Sequence, residues 1–180
     1  CLNLKGKEGT VVRLKHGELL NESGTVNTGN IDYHYRPIDG SDPFQEDIVI
    51  LSGTQDTFSP KFNYKGFQYV EVSASSPIVL TKNNLVAWEM HSDVPVKGTW
   101  HSSSDMLNRL WRATNRSYLS NLFGYPTDCP QREKNGWTGD AHLAAETGLL
   151  NFDARSSYQQ WIDSIADTQR LSGQLPGIVP

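Results

Sequence analysis

Between Tyr125 and His142 the chain reads Tyr-Pro-Thr-Asp-Cys-Pro-Gln-Arg-Glu-Lys-Asn-Gly-Trp-Thr-Gly-Asp-Ala-His. Three carboxylates (Asp128, Glu133, Asp140) fall in it with Arg132, Lys134 and Trp137. Prolines and glycines mark the stretch as a loop, and loops held on a rigid scaffold are where chemistry tends to sit. One chemistry that needs such a set is glycosidic cleavage. One carboxylic acid protonates the leaving oxygen, and a second carboxylate acts on the opposite face of the sugar. Glu133 is the candidate acid, being the only Glu of the loop and lying between the two aspartates. Asp128 and Asp140 would then accept hydrogen bonds from sugar hydroxyls, and Trp137 would offer a flat wall to an apolar sugar face. A structural reading fits the same residues: Asp128 and Asp140 cap helix ends, Arg132 pairs with one of them, and Trp137 is core.

Composition bounds the partners. The chain has 180 residues and a net charge of −4, which argues against nucleic acid or an anionic membrane surface as a partner. No apolar run is long enough to span a bilayer. The five histidines are scattered and the two cysteines, Cys1 and Cys129, lie far apart, so neither a metal site nor a cofactor is expected. Cysteine usage does not fix a compartment. The start at Cys1, without a basic segment followed by an apolar one, is what a piece cut from a longer protein would show.

Two regions must position the loop. As far as about Gly98 the pattern is of short strands: Thr10–Lys15, Asp32–Arg36, Asp47–Leu51, Phe67–Val72, Pro77–Thr81 and Leu85–Met90, divided by turns such as Asp39-Gly40. Strands at such spacing imply an antiparallel β-sandwich, or a sheet layer belonging to one. Aromatics at Phe58, Phe62, Tyr64, Phe67 and Tyr69 are either a carbohydrate-contacting face or cross-strand packing. Past Gly98 the period becomes helical. Ser102 is placed to cap a helix whose stripe is Leu107, Leu110, Trp111, Thr114, Tyr118 and Leu122. A second helix starts near Thr138 to Asp140 with the small face Ala141, Ala144, Ala145 and Gly148. A third follows Asp153, its predicted cap, and carries Tyr158, Trp161, Ile162 and Ile165. The chain is thus read as residues 1–98 of β structure and 99–180 of helix. Helices with one apolar stripe each do not close a core, so the second part reads as the opening of a larger helical domain.

The stretch Pro126-Thr-Asp-Cys-Pro-Gln-Arg-Glu-Lys-Asn-Gly-Trp-Thr-Gly-Asp140 resembles the bacterial α-L-rhamnosidases of glycoside hydrolase family 78. Asn151-Phe-Asp, Gln174-Leu-Pro-Gly-Ile-Val-Pro and Phe62-Asn-Tyr-Lys-Gly-Phe-Gln-Tyr-Val extend the likeness over most of the chain from about residue 50. The resemblance implies a β-sandwich followed by the first helices of an (α/α)6 barrel, and an inverting mechanism without a cofactor. It makes Glu133 the general acid and assigns Asp128, Arg132, Trp137 and Asp140 to the rhamnose site. A common form of the motif reads Arg-Asp-Glu-Arg-Leu-Gly; Arg132-Glu-Lys-Asn-Gly136 is one residue shorter, and alignment from the Gly-Trp side keeps Glu133 on the acid. An inverting enzyme also needs a base roughly 6.5–9.5 Å from the acid. In the family that base comes from a later barrel loop, and Glu146, Asp163 and Asp167 match no such position. The implied partner is a rhamnose-containing oligosaccharide or glycoside. The alternatives are another glycosidase on the same barrel and a non-catalytic carbohydrate-binding module.

Overall fold

The computed structural model describes residues 1–32 and 45–180. They form two compact units, Cys1–Glu89 and Met90–Pro180. The second unit begins ahead of the change of period near Gly98, because Val94 joins the helical core and Val96 bridges to Phe152.

The first unit is built on β2 (Val11–Gly17), whose alternation of Val12, Leu14 and His16 inward with Arg13 and Lys15 outward follows the period of a half-buried strand. It pairs antiparallel with β5 (Glu46–Ile50) on one edge and β7 (Tyr69–Ala74) on the other. A second antiparallel pair, β1 (Leu2–Lys5) with β6 (Gln55–Phe58), sends Leu2 and Leu4 into the same core as Val12, Leu14 and Leu51. A short ladder of β3 (Leu19–Leu20) with β4 (Val26–Asn27) and one turn of helix, α1 (Gly29–Asp32), complete it among the described residues. The strand read from Asp32 to Arg36 starts instead on the last residue of α1; its remainder, and the Asp39-Gly40 turn, lie outside the described residues.

Two expected strands, Pro77–Thr81 and Leu85–Met90, form no strand among the described residues. Only Leu85 bridges Leu2, with Val86 donating to the Cys1 carbonyl and Asn3 to that of Asn84. Apolar composition does not make a strand where no edge takes up the rest of its backbone hydrogen bonds. The aromatics of 58–69 do not share one face. Phe58 packs on the core, Phe67 meets the edge of His16 at 4.9 Å between ring centroids, and Phe62 is fully exposed.

His16 is buried, with its Nδ1 3.1 Å from the Gln45 carbonyl. Nearby, Lys65 donates to Asp47 at 3.1 Å, and Asp47 lies 3.9 Å from His16 Nε2. Burial pushes the His16 pKa below its ordinary value, outweighing the Gln45 carbonyl and Asp47, which raise it. The fold therefore holds the neutral imidazole. A depressed pKa contributes stability that is present above the unfolded value, about 6.5, and lost as pH falls through the folded value. The melting temperature of the β unit is expected to drop below pH 6.5. The slope should flatten in His16→Gln when thermal unfolding is followed between pH 7 and pH 5.

The second unit contains α2 (Asp105–Ser120), α3 (Thr138–Asn151) and α4 (Arg155–Asp167). Two cap expectations are corrected. Ser104, not Ser102, is the N-cap of α2, and Ala154, not Asp153, is that of α4; neither makes a side-chain capping bond. Ser102 is held instead by Asn108, whose carboxamide accepts from the Ser102 amide and donates to its carbonyl at 2.8 Å each. The small face of α3 does what its residues suit it for. Gly148 packs so tightly on Tyr118 that a Cβ would lie 2.1 Å from the phenol oxygen, and Tyr118 in turn stacks on Phe152. The stripe expected for α2 is only partly covered: Tyr118 is buried, as is Leu122 just past the helix end, while Leu110 is 61% exposed and Leu143 on α3 is exposed too. Apolar faces of this unit stay exposed among the described residues.

Candidate active site

The loop leaves α2 through a tight hairpin of β8 (Leu122–Phe123) and β9 (Tyr125–Pro126), turned at Gly124, whose φ of 82° suits glycine. Thr127 donates from its amide and its hydroxyl to the Asn121 carbonyl, at 2.7 and 3.1 Å. From there the chain closes on itself. The Asp128 amide donates to the Asn135 carbonyl, and the Asn135 amide donates back to Asp128 Oδ1, both at 3.0 Å. Lys134 takes a left-handed φ of 55°, an uncommon conformation for a residue with a side chain, and its carbonyl accepts from the Tyr125 hydroxyl at 3.1 Å.

The end of the chain closes the base of the loop. The Val179 amide donates to the Gly136 carbonyl at 2.8 Å, the Thr138 amide to Gly177, and the Trp161 indole to the Val179 carbonyl at 3.0 Å. Ile178 bridges Trp137. The segment Gln174–Pro180 thus returns under the loop.

Glu133 is held at both carboxylate oxygens. The Trp137 indole donates to Oε2 at 2.8 Å, and the Arg132 guanidinium lies 3.6 Å from Oε1. Arg132 therefore faces the glutamate rather than an aspartate, and Trp137, 37% exposed at the N-cap of α3, is not core. Asp128 caps none of α2, α3 and α4; its carboxylate ties the loop. Asp140 lies in the first turn of α3, where a negative charge suits the helix dipole.

Asp128 and Asp140 line one cleft of about 580 Å³ between α2, the loop and the start of α3, with Ser117, Asn121 and Thr147 as further polar walls. Glu133, Arg132 and Trp137 are not on its lining. The structure thus brings the five residues together as two sets, the aspartates on the cleft and the glutamate with its tryptophan and arginine beside it. Cys129 connects the sets. Its thiol donates to Asp128 Oδ2 at 2.9 Å, and its sulfur accepts from the Glu133 amide at 3.2 Å. Sequence reasoning passed over Cys129, although its place next to Asp128 and four residues before Glu133 was in view.

Two family models divide the chain between them. The bacterial alpha-L-rhamnosidase concanavalin-like domain matches residues 1–91, and the bacterial alpha-L-rhamnosidase 6 hairpin glycosidase domain matches residues 95–180. The chain belongs to the bacterial α-L-rhamnosidase family. An alpha-L-rhamnosidase of Formosa agariphila is 33% identical over 181 residues, covering 99% of this chain and 19% of the relative. The structure of alpha-L-rhamnosidase from Dictyoglumus thermophilum is similar with a TM-score of 0.87 at 32% identity, covering 99% of this chain and 20% of that one. The Streptomyces avermitilis alpha-L-rhamnosidase complexed with L-rhamnose gives 0.85 at 30% identity, with 99% and 17% covered. The chain therefore spans about a fifth of the length of these rhamnosidases. The order read from the sequence, β structure and then a helical glycosidase domain, is the order of the two rhamnosidase domains.

Proposed function

We propose that the chain is part of an inverting α-L-rhamnosidase, to which it contributes the general acid and one wall of the sugar site. The observation that carries this reading is the hold on Glu133, whose carboxylate is fixed by the Trp137 indole at 2.8 Å in a loop tied at both ends. A general acid must present its proton to one atom of the substrate, so a side chain fixed on rigid backbone suits the role. Glu133 in its protonated form donates to the glycosidic oxygen. Asp128 and Asp140 accept from rhamnose hydroxyls, while Arg132 and Trp137 fix the acid and border the sugar. Each oxygen of Asp128 has a second acceptor site beyond the bond it makes within the loop.

The base that activates water is assigned to a residue outside this chain. Glu146, Asp163 and Asp167 stand on helices and are given no part in it. The β unit contributes part of a sandwich and the helical unit the first helices of an (α/α)6 barrel, whose uncovered faces the remaining helices would bury. The substrate class is terminal α-linked L-rhamnose on plant glycosides or pectic polysaccharides.

The test uses the full-length protein with a panel of aryl glycosides, reading the first-formed anomer by proton NMR. Selective cleavage of the α-L-rhamnoside with β-L-rhamnose as first product is expected. Preference for another glycoside, or α-rhamnose formed first, would overturn the corresponding part of the reading. The 180-residue chain alone is expected to show no turnover, and activity from it would sink the assignment of the base elsewhere.

A further inference from the structure

Asp128 and Glu133 have separate tasks in the proposed site, and they do not line the same cleft. What links them is one sulfur atom. Cys129 Sγ receives the Glu133 amide and gives its proton to Asp128 Oδ2. Burial, and then the bond to Asp128, push the thiol pKa above its ordinary value, so it remains a donor at neutral pH. The other Asp128 oxygen accepts from Asn135, across the mouth of the same loop. Residues 129–135 therefore form a closed ring whose interior contact is the thiol.

We propose that Cys129 is a positioning residue that couples Asp128 to Glu133, so that the sugar-contacting carboxylate and the acid are set as one body. The inference rests on the reading of Glu133 as the acid and Asp128 as a rhamnose contact. The thiol touches neither substrate nor the reacting atoms; it acts through its two neighbours. Taking the sulfur away leaves the Glu133 amide without its acceptor and Asp128 Oδ2 without its donor. The backbone at Glu133 then loses its contact inside the ring, although the Tyr125 hydroxyl still holds the Lys134 carbonyl. Misplacement of a reacting group by about 1 Å can cost on the order of a hundredfold in rate. Serine keeps one donor and one acceptor at the position, whereas alanine and valine keep neither.

The experiment compares Cys129→Ala, Cys129→Val and Cys129→Ser in the full-length protein on two substrates. One is an aryl α-L-rhamnoside with a poor leaving group. The other is the 2,4-dinitrophenyl rhamnoside, whose departure needs little protonation. Alanine and valine are expected to lower kcat about thirtyfold on the poor leaving group, with a rise in KM, and to lose distinctly less on the activated substrate. Serine is expected to restore kcat to within about threefold of the parent. A merely structural role would lower the melting temperature and leave the leaving-group dependence unmoved. Folded alanine and valine variants with parental kcat and KM, or with equal losses on both substrates, would overturn the coupling. Should both fail to fold, serine decides: restored kcat supports it, and a folded serine variant impaired about thirtyfold overturns it. The functional reading fails differently, through parent protein that cleaves neither rhamnoside or full activity in Glu133→Gln, and the coupling then falls with it.

Discussion

Glu133→Gln is expected to lower kcat about a thousandfold on an aryl α-L-rhamnoside with a poor leaving group, within the range a positioned general acid supplies. The substitution preserves shape. The Trp137 indole that donates to Glu133 Oε2 at 2.8 Å can donate equally to a carboxamide oxygen, so the tighter of the two holds is kept while the 3.6 Å Arg132 contact is lost. What the variant lacks is a proton to give. Three readouts follow from that. KM should change little, because Asp128 and Asp140 remain on their cleft. The loss should shrink on the 2,4-dinitrophenyl substrate, which needs less help to depart. Bound L-rhamnose should still raise the melting temperature of the variant, as a ligand of the folded state does. A kcat within tenfold of the parent on the poor leaving group would remove Glu133 from the role.

The second large effect is expected at Gly136. A Cβ there would lie 1.7 Å from the Val179 carbonyl oxygen and 2.8 Å from its carbon, which are backbone atoms and cannot swing aside. Gly136→Ala must push the tail off the loop, breaking the Val179 amide bond to the Gly136 carbonyl and the Trp137–Ile178 bridge. The expected cost is about 3 kcal/mol, the upper part of the usual range for overpacking, read by urea unfolding with tryptophan fluorescence. On the proposed reading, turnover of an aryl rhamnoside by the full-length protein should fall with it, since Trp137 and through it Glu133 lose their footing. Gly139→Ala is the control. Nothing lies within 4 Å of its Cβ direction, and alanine in the first turn of α3 should leave stability unchanged or raise it by about 0.5 kcal/mol. Equal stability of the Gly136 variant and its parent would contradict the close approach.

The parts of the fold that the sequence displayed are those governed by local period. The inward Val12, Leu14 and His16 of β2 alternate as a strand must, and α2 and α3 begin within a few residues of the places their caps and stripes suggest. What it concealed depends on partners distant along the chain. Gln-Asp-Thr-Phe of β6 has little strand character of its own and is extended because β1 pairs with it. Pro77–Thr81 has the composition of a strand and no such partner among the described residues. The candidate site divides in the same way. The residue types of Asp128, Glu133, Trp137 and Asp140 pointed to acid and sugar chemistry. That Trp137 grips Glu133, and that Cys129 stands between the carboxylates, depends on how the loop curls at Lys134 and closes at Asn135.

The return of Gln174–Pro180 beneath the loop bears on the order of events during synthesis. The turn that carries Glu133 is complete in sequence by Gly136, yet the bonds that support its base come from Gly177 and Val179. Contacts between segments far apart along the chain form only once both have been made, and closing the chain between them costs entropy. A nascent polypeptide stopped after α4 (Arg155–Asp167) would carry every residue of the loop and lack its floor. The surface around Glu133 is therefore among the last features of this segment to take shape as it emerges.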